Sequence, residues 1–218
     1  MGNALVNVNG NSIQTLEVLF MLTTVALLPS ILMLMTSFTR IIITLSFLRN
    51  ALGIQQTPPN TVLVGIALFL TFFIMSPVID NINQNAYIPY KNEEITQQEA
   101  LKRAEKPMKE FMLRQTEVES LNMYLDMAKL EAPKDTMELP LRVVIPAFMT
   151  SELKRAFMIG FLLFIPFLLI DIVVSSTLMS MGMIMLPPAT IALPFKLLLF
   201  ITVDGWQLLF STLVKGFN

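Results

Sequence analysis

The chain has no cysteine and no histidine among its 218 residues. Their absence removes disulfides, thiol nucleophiles, imidazole acid–base chemistry and Cys/His zinc sites together. An enzyme built on this sequence would have to work with carboxylates, lysine, serine or threonine. No Gly-rich phosphate loop and no Ser or Thr beside a visible base is present, so the residues suggest neither catalysis nor a cofactor. Charge is scarce at 14%, and 15 Lys plus Arg against 16 Asp plus Glu leave a net charge of −1. Without a basic excess there is nothing to hold nucleic acid by counterion release. The opening stretch, Met1 to Asn11, also lacks the basic start and short apolar core of a signal peptide. Any such signal is expected to have been removed already. What the chain does have is apolar surface: 54% hydrophobic residues and a mean hydropathy of +0.66 point to a membrane protein.

The apolar residues come in blocks. Leu16 to Met35, with Glu17 at its edge and Pro29 inside, is long enough as a helix to cross a hydrocarbon core of about 30 Å. An amphipathic piece reaching Arg49 comes next, then the turn-rich Asn50 to Asn60, and Thr61 to Val78 forms a second candidate span. Arg40 and Arg49, with no acid beside them, argue for a cytoplasmic loop and hence for an extracytoplasmic position of the segment beyond the second span. In that segment, from Asp80 to Arg155, lie 11 of the 15 basic residues and 13 of the 16 acids, the signature of a water-exposed insert. Thr96 with Glu99 and Thr116 with Glu119 read as capping boxes that open two helices there, the first interrupted or kinked at Pro107. On the second helix Val118, Leu121, Leu125 and Ala128 are expected to share one packing face.

The last third runs from Phe157 to Leu186, broken by Pro166 and Asp171, and then from Ala189 to Val203, carrying Pro194 and Lys196. As helices these stretches would measure about 45 Å and about 22 Å, an uneven pair for one bilayer. Protein rather than lipid is therefore expected to cover much of their surface. The division that results is 1–79, an N-terminal apolar hairpin; 80–155, a polar helical insert; and 156–218, a C-terminal hairpin.

Between the last two stretches methionine occupies every second position: Met179, Met181, Met183 and Met185, with Gly182 inside and Pro187-Pro188 closing the run. On a helix a two-residue step would scatter these side chains, whereas extended backbone would aim them to one side, and Gly182 with the prolines favours the extended form. Methionine is flexible and apolar, which suits a deformable seal. A bland hairpin tip filled with methionine and capture of Cu(I) by thioethers are the alternatives. Asp171 and Lys196 each interrupt an apolar stretch and lie about equally far from the centre of the run. Their pairing is expected, within one subunit or between neighbours; snorkelling of Lys196 with Asp171 at a helix break is the other reading. A proton relay through Asp171, Lys196, Asp204 and Glu17 would make the chain a secondary transporter, or with methionine ligands a copper permease.

Several segments together carry a family resemblance: Thr36-Ser37-Phe38-Thr39-Arg40, Phe47 to Gly53, Gln55 to Asn60, Met75-Ser76-Pro77, the methionine run, Leu193 to Lys196 and Val203 to Trp206. From about Leu16 to the C-terminus the chain resembles the FliP/SctR family of type III secretion export-gate proteins, and the Thr-Ser-Phe-Thr-Arg wording resembles its flagellar branch. The resemblance implies an all-α membrane protein of kinked hairpins with a small extracytoplasmic insert, assembling into a helical ring. It implies a pentamer that joins FliQ and FliR next to FlhA and FlhB. The expected place is the bacterial inner membrane at the flagellar basal body, where unfolded rod, hook and filament subunits pass through the ring. It further implies a pore gasket of Met181, Met183, Ile184 and Met185, where Ile184 stands in for a methionine common in the family. No cofactor and no metal are implied, and many relatives begin with a cleavable signal peptide.

Overall fold

In the computed structural model residues 5–8, 11–54, 57–131, 133, 135–183 and 185–217 are described. A short antiparallel hairpin, β1 (Leu5–Val8) and β2 (Asn11–Gln14), leads into α1 (Thr15–Met35); everything regular beyond it is helical. The chain then bends by 80° between Pro29–Met35 and α2 (Phe38–Leu52). Thr36 provides a local cause: its hydroxyl donates back to the Leu32 carbonyl and accepts from the Phe38 N–H at 3.3 Å, competing with the helix's own bonds. Along α2, Ile41, Leu45, Leu48 and Leu52 are buried at helical spacing. Gly53, in the left-handed region at φ +78°, ends the helix by donating to the Asn50 carbonyl at 3.0 Å.

The second span, α3 (Asn60–Ile82), continues without a break through a π-helical turn (Asn83–Tyr87) and a last turn, α4 (Ile88–Lys91). In the insert, α5 (Gln97–Gln115) starts where the capping box places it, since the Glu99 N–H donates to Thr96 Oγ1 at 3.3 Å. Pro107 lies inside α5 without ending it. The second expected box does not form. Thr116 turns its hydroxyl back to the Met112 carbonyl at 2.7 Å, and α6 (Val118–Ala128) begins after Glu117, whose N–H donates to Ser151 Oγ at 2.9 Å. A tertiary acceptor has replaced the local cap. Of the four residues assigned to one face of α6, Leu125 is buried and Leu121 and Ala128 pack beside it, while Val118 is exposed.

A 3₁₀ turn (Thr136–Glu138) precedes α7 (Leu141–Ser180), a continuous 40-residue helix that would measure about 60 Å. It begins well before Phe157, passes through Pro146, Pro166 and Asp171, and ends before the methionine run is complete. The expected divisions at 79/80 and 155/156 therefore fall inside α3 and α7, and the insert is carried on continuous helices. A bend of 61° separates α8 (Pro188–Thr202) from α9 (Gly205–Lys215).

Two apolar clusters organise the packing. One joins α2, α3, α7, α8 and α9 around Ile41, Leu45, Leu48 and Leu63. The other, around Met112, Val144 and Phe148, packs α5 and α6 on α3 and α7 and includes Phe217. Helices Asn60–Lys91 and Leu141–Ser180 are long and apolar enough to cross a membrane, and each bent pair could add a further crossing.

Candidate functional site

The methionine loop is not extended throughout. Met179 belongs to the last turn of α7, and the Gly182 N–H donates to the Met179 carbonyl and the Met183 N–H to the Leu178 carbonyl, each at 3.0 Å. Gly182 has φ +74°. This is a Schellman ending, in which glycine supplies the left-handed residue that lets two orphan carbonyls find donors. The expectation that glycine favours extension is thereby corrected: satisfying the helix's last carbonyls outweighs a period of two. Pro187 is extended, and Pro188 opens α8 at a position where its missing N–H costs nothing.

The loop's side chains are bare. Met181 is 66% and Met185 99% exposed, Met183 is also exposed, and among the described residues a Cβ added at Gly182 would meet no atom within 4 Å. Ile184 lies outside the described residues. Behind the loop, α7 and α8 diverge around an apolar cleft of about 540 Å³ whose walls include Val173, Leu178, Ile191 and Phe195.

Lower in the same hairpin the structure brings Asp171 and Lys196 together within one chain. Lys196 Nζ donates to Asp171 Oδ2 at 2.7 Å and to the Ala51 carbonyl at 3.1 Å. Lys196 is buried rather than snorkelling, while a third of the Asp171 side chain remains exposed (32%). One ammonium thus ties α7, α8 and the C-terminal end of α2. A cation near that helix end also suits the α2 dipole. Of the remaining members of the supposed relay, Asp204 does not join them and sits exposed between α8 and α9, while the Glu17 side chain lies outside the described residues.

A second charge pair, between Arg40 and Glu152, is buried, and the pairing has no local signature in the sequence. Arg40 on α2 makes a two-pronged contact with Glu152 on α7, its Nε lying 2.8 Å from Oε2. Arg40 Nη2 also donates to Gln115 Oε1 at 3.1 Å, and Nη1 to the Gly216 carbonyl at 3.2 Å. The guanidinium lies 3.7 Å over the Phe217 ring. Gln115 in turn accepts from Arg155 at 2.8 Å and donates to the Phe217 carbonyl at 3.1 Å. Arg40 is thus buried on a helix, where the sequence pattern places a loop. A signal for Glu152 existed. It stands four and eight residues after Phe148 and Val144, on the buried face of α7, but its charged neighbours Lys154 and Arg155 hid the periodicity.

The chain as a whole is similar to known proteins. The model of the FliP family matches residues 21–213. The flagellar biosynthetic protein FliP of Pectobacterium carotovorum subsp. carotovorum is 53% identical over 211 residues, covering 96% of this chain and 82% of that protein. Proteins of the same name from Aquifex aeolicus (52% over 213 residues, covering 96% and 88%) and Bacillus subtilis (51% over 207 residues, covering 95% and 94%) are similar to almost the same extent.

Proposed function

This chain belongs to the FliP family, and on that premise we propose that it is a subunit of the flagellar type III protein export gate. It is a non-enzymatic membrane component of flagellar biosynthesis. Several copies, five by analogy with the family, join FliQ and FliR into a helical gate beside FlhA and FlhB. The gate stands at the base of the flagellum in the bacterial inner membrane and passes unfolded rod, hook and filament subunits.

The observation that carries this reading is an exposed apolar loop on a braced hairpin. Met181, Met183 and Met185 are uncovered within the single chain, and few residues of the apolar windows of the helices Asn60–Lys91 and Leu141–Ser180 are buried, 28% and 11%. Exposed apolar surface on this scale calls for lipid or further copies to cover it. One methionine tip seals little, but several meeting on an axis would close a pore with side chains that repack at low cost. The empty surroundings of Gly182 leave the tip room to yield. The Asp171–Lys196 pair holds the base of the hairpin, so that the tip moves while its stem does not. Ile184 contributes apolar bulk to the gasket between Met183 and Met185.

The native mass of the particle extracted from membranes should correspond to several copies, with or without small partners. A stable, active single copy would sink the ring. Replacing Met181, Met183 and Met185 together by alanine should raise leakage of small ions through the assembled particle while leaving its stability unchanged, and an unaltered conductance would refute the gasket.

A further inference from the structure

We propose that Asp204 and the apolar corner around it form a docking surface for a membrane helix of another subunit, one that carries a lysine or arginine among aliphatic side chains. Asp204 occupies the break between α8 and α9 with φ 50° and ψ 51°, and its carboxylate makes no capping bond to α9. Among the described residues it has no ion-pair partner. Leu198, Ile201, Val203 and Leu208 around it are 61%, 73%, 49% and 59% exposed. An exposed carboxylate set in an apolar surface is costly next to lipid, and a cation at the same depth removes that cost.

The local fold does not account for the charge. Asparagine would serve a left-handed position as well as aspartate. A carboxylate at a helix start gains from the dipole, but here the C-terminal end of α8 adjoins the same residue and opposes that gain. The corner itself is closely packed. A Cβ at Gly205 would lie 2.2 Å from the Phe200 ring, and Trp206 packs edge-on against Phe200 at 5.3 Å. The backbone that carries the carboxylate is therefore closely packed, which favours charge-assisted recognition over adaptive contact. A lysine or arginine on the incoming helix would pair with Asp204 while its aliphatic neighbours cover Leu198, Ile201 and Leu208.

The test is native mass spectrometry of the particle isolated from membranes through a tag on this chain, comparing wild type, Asp204→Asn and Asp204→Glu. Protease resistance of each variant monitors folding. The Asn variant should keep its copies of this chain but lose a small helical subunit, whose occupancy falls about tenfold or more, while Glu retains it. A full complement in the folded Asn variant overturns the proposal, and so does loss of copies of this chain itself, which would assign the carboxylate to contact between copies. Labelling of unmutated protein with a carbodiimide and glycine methyl ester needs no variant. Asp204 should be protected in the intact particle and modified after dissociation, and equal modification in both states overturns the docking surface. The copy number of this chain in the wild-type particle bears on the gate reading alone, so the two can fail separately.

Discussion

Arg40 and Glu152, 112 positions apart, meet in the interior with Arg40 Nε 2.8 Å from Glu152 Oε2, and neither side chain reaches solvent. This contact joins α2 to α7 near the C-terminal end of the insert. Through Gln115 and the carbonyls of Gly216 and Phe217 it also gathers α5 and the C-terminal tail.

Removing one partner should be severe. Glu152→Ala leaves a buried guanidinium without its counter-charge and is expected to cost about 3–5 kcal/mol. The double variant Arg40→Met with Glu152→Leu should be more stable than either single loss, because no charge is left stranded. Thermal unfolding in detergent checks this. A double variant no more stable than the singles would contradict the account.

Asp171 and Lys196 should behave differently, since Asp171 is partly exposed and Lys196 also holds the Ala51 carbonyl. Exchanging the two charges should recover more assembly and motility than either single reversal, yet less than wild type, because an acid at 196 cannot donate to that carbonyl. Complete recovery would mean that the bond to α2 contributes nothing.

Two glycines should respond for opposite reasons. A Cβ at Gly160 would sit 2.5 Å from Phe47 Cγ and 2.9 Å from its Cβ, so Gly160→Ala is expected to cost about 1–3 kcal/mol, with partial relief from Phe47→Leu. At Gly182 there is space but φ is +74°, so Gly182→Ala should cost about 1 kcal/mol through backbone strain alone. Unfolding midpoints of the three variants decide. Equal losses at both glycines would argue against this division.

Ser151→Ala removes the acceptor for the Glu117 N–H and should cost about 1 kcal/mol, felt mainly at the start of α6. Hydrogen exchange should quicken at Glu117 and the amides just after it while α2 stays protected. Uniform acceleration would point to a global rather than local role.

The legible parts of this protein were those set by nearest neighbours along the chain. Apolar runs announced α1, α3 and the two arms of the C-terminal hairpin, and Thr96 with Glu99 announced α5, since solvation and capping act over a few residues. Thr116 with Glu119 looked equally sound and failed, because an acceptor on α7, Ser151, was available only after folding. Pro166 and Asp171 looked like interruptions, but packing and the ion pair to Lys196 carry α7 through both.

By itself the amino-acid order determined that the chain belongs in a membrane, that its charges cluster between residues 80 and 155, and that flexible apolar side chains occupy a hairpin tip. These features are set by composition and local pattern. Only the tertiary structure decided that Asp171 meets Lys196 within one chain, that Lys196 also reaches the Ala51 carbonyl, and that Arg40 is buried against Glu152. Each depends on where distant carbonyls, donors and charges come to rest. Desolvation makes those partners obligatory, but sequence spacing does not name them.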